Sequence, residues 1–504
     1  MAITTLFENF SFLFGEITGL RNACRLGRMD TAITTLLEQI SSVFSEVVEF
    51  RNAFFCCTVE EHLSEILCGL ERNGKRQAGI TSVKQALDAR PGNADITTIH
   101  PSPGSSVADG NISCCIGGID VDITVGGRRV ARRAYGFDEV ALAPGPLVID
   151  AKDVDVTWKL GNLTIQCPIL ASSLDGAVNP ALAAEMSRLG GLAVLNLDGI
   201  QTRYENAEEI LQQIADHPAE GVIRFIQSLY AAAPVRADLI ALRIKEIKAN
   251  GGIAAVAAAP HTAHKAAEAA VAAGADVFVI QSTVGTVKFE SSTIPEFPIA
   301  EFCKNSPIPV IVGNTVGYQA TYDLMEAGAA AILVGVGPGH ICTSRKVLGI
   351  GVPQITATAD CAAARDDYFE QTGRYVPIIT DGGIRNGGDI SKAIAAGADA
   401  VMLGSTIAAA KEAPAPGYSW GMATSSADLP RGTRIQVGIS GSLEEILYGP
   451  AHRDDGTMNL VGALRLSMGS LGARNIKEMQ SVQMFVAPSL PTEGKSLQRS
   501  QGVG

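Results

Sequence analysis

The sequence predicts an α/β protein: a (β/α)8 TIM barrel preceded by an N-terminal α-helical extension. Three observations carry that expectation. Short apolar runs recur eight times between residues 167 and 405, and a helical pattern follows nearly every one. Alternation of this kind over about 250 residues matches a ring of parallel strands with helices outside. The last two runs end in glycine-rich turns, where such a barrel ordinarily seats a phosphate. A segment near the N-terminus occurs twice with helical spacing, which adds the extension.

The extension comes first. "TTLFENFSFLFGEITGLRNA" (4–23) returns as "TTLLEQISSVFSEVVEFRNA" (34–53), an offset of 30 residues. Leu36, Leu37, Ile40, Val43, Phe44 and Val47 recur at helical spacing, so each copy reads as an amphipathic helix. Two copies are too few for a solenoid. They predict a helical hairpin that packs on itself or on a partner of unknown identity. The extension runs over 1–90, and residues 91–118, rich in Pro, Gly and Ser, read as a linker. The barrel domain is placed at 119–490, with a flap at about 411–441 and a flexible tail at 491–504.

The eight runs are "CPILAS" (167–172), "GLAVLNL" (191–197), "IAAVAAA" (253–259), "DVFVIQS" (276–282), "PVIVGN" (309–314), "AAILVGV" (330–336), "VPIITDGG" (376–383) and "DAVMLGS" (399–405). Two of the helical stretches, "YQATYDLMEAGA" and "ISKAIAAGA", stop in Ala-Gly-Ala, small residues that tuck a helix back onto the next strand. A longer helical stretch, roughly 200–250, separates the second run from the third.

Charge and cysteine usage narrow the function. Lys and Arg number 40 against 52 Asp and Glu, a net charge of -12, with no basic stripe interleaved with aromatics. Nucleic acid is therefore not the expected partner. No run of 18 apolar residues occurs, so no membrane span is expected. The N-terminus lacks a basic segment followed by a short apolar core, so export is not expected. The ten cysteines contain no CxxC pair, and the seven histidines do not sit at metal-ligand spacing. A reduced, cytoplasmic setting follows.

Within "VGVGPGHICTSRK" (334–346), Cys342 lies just past a Gly-Pro-Gly turn, on the loop after strand six. A lone cysteine is more often an inert small hydrophobe. Here the loop belongs to the barrel face that carries chemistry, which points to a catalytic nucleophile. Ser344 can donate to a reacting ring, and Arg345 and Lys346 lie close enough in sequence to lower the thiol pKa. At the phosphate end, Gly382, Gly383 and Gly404 free backbone N–H groups where helices begin. Asp381, at the end of strand seven, can accept two hydrogen bonds from a ribose diol. A phosphorylated ligand, a nucleotide, is implied.

"GVGPGHICTSR", "TDGGIRNGGDI", "VMLGS" and "LRLSMGSLGARNIKEM", in that order over about 126–490, resemble the IMP dehydrogenase/GMP reductase family. The likeness is nearest to a bacterial and cyanobacterial branch without the paired CBS module, which would interrupt the chain after strand two. The resemblance implies an NAD-dependent oxidation of IMP to XMP in guanine nucleotide synthesis. Cys342 would attack C2 of the purine, and a covalent thioimidate would be hydrolysed. Asp381, Gly382, Gly383, Gly404 and Ser405 would hold ribose and phosphate, His340 would sit beside the substrate, and Gly421 and Met422 would lie along the base. Gln281, Asn314, Gly335, Val336 and Gly337 would face the cofactor. Carbonyls of Gly337, Gly339 and Cys342 would hold K+. The family assembles as tetramers or octamers.

The sequence departs from the family at several positions. His340 replaces a Ser, and Gln281 replaces the Asp that holds a cofactor ribose. The flap carries no Arg-Tyr pair between 411 and 440, and Arg431 stands where the family has Glu or Gln. Arg431 is the candidate to activate the hydrolytic water. Two alternatives stand beside IMP dehydrogenase: a GMP reductase using NADPH, and a purine-nucleotide-binding regulator with little turnover.

Overall fold

A computed structural model of the chain describes residues 123–125, 128–292, 297–426, 428–429 and 432–486. The repeat helices, the linker, the tail and Arg431 lie outside the described residues.

Eight parallel strands form a closed barrel. They are β1 (Ile169–Ala171), β2 (Leu192–Asn196), β3 (Ala255–Ala258), β4 (Val277–Gln281), β5 (Val310–Thr315), β6 (Ala331–Val334), β7 (Ile378–Asp381) and β8 (Ala400–Leu403). Each contains the centre of one predicted run. Neighbours pair in chain order, and Val401 of β8 lies opposite Ile169 of β1 to close the ring. Both faces of every strand are covered, so the strands read as unbroken apolar runs. In β4, Val277 and Val279 point into the barrel, while Phe278 and Ile280 pack outward under the helices. An antiparallel hairpin, Trp158–Leu160 with Leu163–Ile165, adds Trp158, Leu160 and Ile165 to the inner cluster. Its turn lies beside Pro309, just ahead of β5, so it seals the end opposite the strand-following loops.

Helix α1 (Pro180–Arg188) starts where the Asn179 side chain accepts from Leu182 N, with Pro180 in the first turn. Between β2 and β3 lie α2 (Ala207–Asp216), α3 (Val222–Ala232) and α4 (Ala237–Ala249). Ile210, Leu211, Ile214 and Ala215 make the buried face of α2, and Glu208 and Glu209 stand in its first turn, where unpaired N–H groups favour anions. Faces of α2 and α3 form a small cluster of their own, completed by Ala415 and Trp420 from the segment after β8. The ring of helices continues with α5 (Pro260–Ala272), α6 (Ile299–Asn305), α7 (Tyr318–Glu326), α8 (Ser344–Val347), α9 (Gln354–Thr372), α10 (Gly387–Ala395) and α11 (Ser405–Ala408). Buried Ala263, Ala266, Ala267 and Ala270 let α5 approach the sheet closely.

One buried ion pair ties α9 to β8. Arg365 is 2% exposed and donates to Gly397 O at 2.6 Å and to Asp399 Oδ2 at 3.2 Å. Tyr375 and the Ile378 amide also donate to Asp399. Replacing Arg365 by Met leaves a buried carboxylate without its cation, and the expected cost is about 3–5 kcal/mol. A fall in urea midpoint with unchanged slope checks it; an unchanged midpoint would show that the remaining donors suffice.

Candidate active site

The strand ends converge on a cleft of about 630 Å³, a size typical of small-molecule sites. Three strand ends make its floor. Gln281 closes β4, Asn314 lies in β5 and Asp381 closes β7. Gln281 Nε2 donates to Asp381 Oδ2 at 3.1 Å and to Asn314 Oδ1 at 3.2 Å. Asn314 Nδ2 donates to the same Asp381 oxygen at 2.7 Å. Ser173 Oγ, two residues past β1, donates to Gln281 Oε1 at 2.7 Å. Both bonds to Asp381 fall on Oδ2, which leaves Oδ1 to accept from a ligand. Burial pushes the Asp381 carboxyl up to about 6, against the Asn314 and Gln281 amides, which lower it. Gln281 is thus tied into the floor, and its amide is already committed to its neighbours.

The loop after β6 presents the cysteine. Gly335 sits at φ +148°, and a Cβ there would come within 2.3 Å of the Asp381 carbonyl oxygen. Only glycine lets this loop lie flush on β7. Gln354, at the start of α9, clamps the junction by donating to Val334 O at 2.6 Å and to Asp381 O at 3.2 Å. Cys342 N donates to Gly339 O at 3.1 Å, closing the turn. Cys342 Sγ lies 3.3 Å from Ser344 Oγ. Ser344 is only 1% exposed, so its hydroxyl supports the thiol from beneath. Arg345 takes another direction from the one its sequence position suggested. Its guanidinium donates to Val352 O at 2.9 Å and its stem packs on Gly337 and Gly351, so it staples the far limb of the loop.

Gly382 and Gly383 turn the chain after β7 at φ +84° and +79°, and Pro338 packs against that turn. Gly404 precedes α11, and Ser405 opens it. Exposed His340 stands at the tip of the cysteine loop. The flap closes the remaining side. Tyr418–Ser419 pairs antiparallel with Ile435–Gln436. Gly421 leads into a 3₁₀ turn, Met422–Ser425, and Met422 Sδ accepts from Ser173 Oγ at 3.3 Å. On the return limb Gly432 bridges Cys342, and Thr433 N donates to Ile341 O at 3.2 Å. Backbone hydrogen bonds therefore stitch the flap to the cysteine loop. Among the described residues, every candidate substrate, cofactor and cation-site residue named from the sequence lines this cleft, together with Cys342 and Ser344, whereas Arg345 and Lys346 do not.

Residues 134–495 match the family model of the IMP dehydrogenase/GMP reductase domain. The chain belongs to the IMP dehydrogenase/GMP reductase family. It is 38% identical to an uncharacterized oxidoreductase of Mycolicibacterium smegmatis over 373 residues, 72% of this chain and 99% of that relative. It is 30% identical to an inosine-5'-monophosphate dehydrogenase of Cryptosporidium parvum, covering 69% of this chain and 91% of the relative. A crystal structure of an IMP dehydrogenase/GMP reductase-like protein from Corynebacterium glutamicum aligns with a TM-score of 0.69 and 35% identity, over 73% of this chain and 98% of that one.

In this family member, helices α2–α4 occupy the connection after β2, where a paired CBS module would otherwise interrupt the barrel. The chain thus sits with the branch that lacks the module. Four residues of the family cleft and its walls escaped sequence reasoning: Ser173, Asp175, Tyr230 and Gln354. Ser173 and Asp175 follow a strand end, which is a usable signal. Gln354 opens a helix and Tyr230 lies inside the inserted helices, and neither carries a local mark.

Proposed function

We propose that the protein is an IMP dehydrogenase that oxidises IMP to XMP with NAD+ and serves guanine nucleotide synthesis. The observation that carries this reading is the placement of Cys342 Sγ, 3.3 Å from buried Ser344, over the cleft whose floor offers Asp381. The thiolate adds to C2 of the purine, which forms the C2–Sγ bond. NAD+, when bound, accepts the hydride that leaves C2. Water then hydrolyses the thioimidate on Cys342 and releases XMP. Asp381 takes the ribose diol, and Gly383, Gly404 and Ser405 take the phosphate through backbone N–H groups, while Gly382, whose own N–H donates to Met402 O at 3.2 Å, serves as the turn beside them. Gly421 and Met422 lie along the base, beside His340.

The residues present fit a planar nicotinamide: Gly335, Val336 and Gly337 offer a wall with one small side chain, above Asn314 and Gln281. Carbonyls of Gly337, Gly339 and Cys342 would hold K+ and order the loop. The protein acts in the cytoplasm as a homo-tetramer or octamer on this reading. Among the described residues no helix is long and apolar enough to cross a membrane.

With IMP and NAD+, absorbance at 340 nm is expected to rise; with GMP and NADPH it is expected to stay constant. The reverse pattern would make the protein a GMP reductase. Nucleotide binding without turnover in either mixture would make it a regulator.

A further inference from the structure

We infer that Tyr230, backed by Asp175, is a catalytic residue of this cleft, and that its hydroxyl takes a proton from the water that hydrolyses the intermediate on Cys342. The inference rests on the reaction proposed above. It starts from a buried carboxylate that this reaction does not use. Asp175 is 2% exposed. It accepts from Ile200 N at 3.1 Å, from Asn196 Nδ2 at 3.1 Å and from the Tyr230 hydroxyl. Those donors come from separate elements, so the carboxylate is held rigidly. Two of its partners are inert amides. The third is a phenol whose residue lines the cleft.

Helix α3 delivers that phenol and also grips the flap. Gln227 Nε2 of α3 donates to Ser426 O at 3.1 Å, just past the turn that carries Met422. The Arg203 guanidinium lies 5.2 Å from the Tyr230 ring centroid. Arg203 is itself fixed by Asp198 O at 3.0 Å, Tyr230 O at 3.1 Å and Ala233 O at 2.5 Å. A fixed positive charge beside the ring offsets part of the hold that burial and Asp175 keep on the phenol proton. Burial raises the Asp175 carboxyl above the usual range, which makes it a better proton acceptor than a surface carboxylate. Burial, and then the charge of Asp175, holds the Tyr230 phenol well above its ordinary value. Tyr230 therefore does not ionise alone. It takes a proton on its oxygen while handing its own to Asp175.

The step balances without a further reactant. The water oxygen bonds C2 and the C2–Sγ bond breaks. One water proton ends on the ring nitrogen beside C2. The other passes through Tyr230 to Asp175 and then returns to solvent, while the sulfur departs as the thiolate that began the cycle. No electrons are gained or lost.

The test is Tyr230→Phe, which keeps the ring, with IMP and NAD+ in stopped flow. The expected result is a burst of NADH equal to the number of sites, a steady state slowed about 100-fold, and a Cys342 adduct seen by intact-protein mass spectrometry. Asp175→Asn, which preserves packing, should behave alike, and its burst amplitude reports an intact site if Tyr230→Phe misfolds. A wild-type steady state in Tyr230→Phe, or slow turnover without adduct in both variants, overturns the inference. If the wild-type protein itself yields neither NADH nor adduct, the proposed reaction fails, which is a different result from adduct-free variants beside an active wild type.

Discussion

Cys342→Ala is expected to abolish turnover and to leave IMP binding within about threefold of wild type. The thiol supplies the bond to C2, so its loss removes the covalent route and costs several orders of magnitude in rate. The ribose and phosphate contacts come from other strands and stay in place. Gly339 and Ser344 hold the loop from either side, and their backbone is untouched by the change. Calorimetry with IMP and a 340 nm assay measure the two halves separately. Retained activity above a few per cent of wild type would end the covalent mechanism.

Asp381→Asn is expected to act in opposite directions on function and on stability. Binding of IMP should weaken by about 2–4 kcal/mol, because a buried hydroxyl pair loses its charged acceptor. The unliganded protein should become more stable by about 1–3 kcal/mol at pH 7.5, because an ionised carboxylate held in a buried floor gives way to a neutral amide. The pH dependence fixes the sign. Burial raises the folded-state pKa of Asp381 to about 6, so the folded wild type binds this proton more tightly than the unfolded chain. Its stability then falls as pH rises from about 4 to about 6 and levels off above. The advantage of the Asn variant grows over that window and should vanish near pH 4. Thermal melts of both proteins across pH 4–8 test this, and a constant difference would show that Asp381 is not the group responsible.

Much of the barrel was legible because strands buried on both faces demand unbroken apolar runs. "DVFVIQS" and "AAILVGV" could not serve in an exposed sheet. The short antiparallel pairs had no such signature. Met484–Val486 finds Val140–Leu142 across more than three hundred residues, and three-residue strands leave no local pattern. In the cleft, Cys342 and Asp381 stood out because glycines mark the turns that expose them. Tyr230 and Asp175 are 55 residues apart in the chain, and only the fold of the inserted helices joins them. Arg345 shows the opposite failure. Nearness in sequence suggested a charge at the thiol, but packing against Gly337 and Gly351 sends the side chain elsewhere.

The cluster shared by α2, α3, Ala415 and Trp420 has an energetic consequence. It is separate from the two clusters inside and around the barrel. A region with its own small core can open as a unit while the rest of the molecule stays folded. Trp420 belongs to this unit and stands next to Gly421, at the start of the segment that covers the cleft. The chain therefore enters the cleft-covering segment from a small core of its own rather than from the core of the barrel. A ligand that contacts Met422 stabilises that unit by an amount that grows with the logarithm of its concentration above Kd. Mutations on the buried face of α2 are then expected to change how long a bound molecule stays.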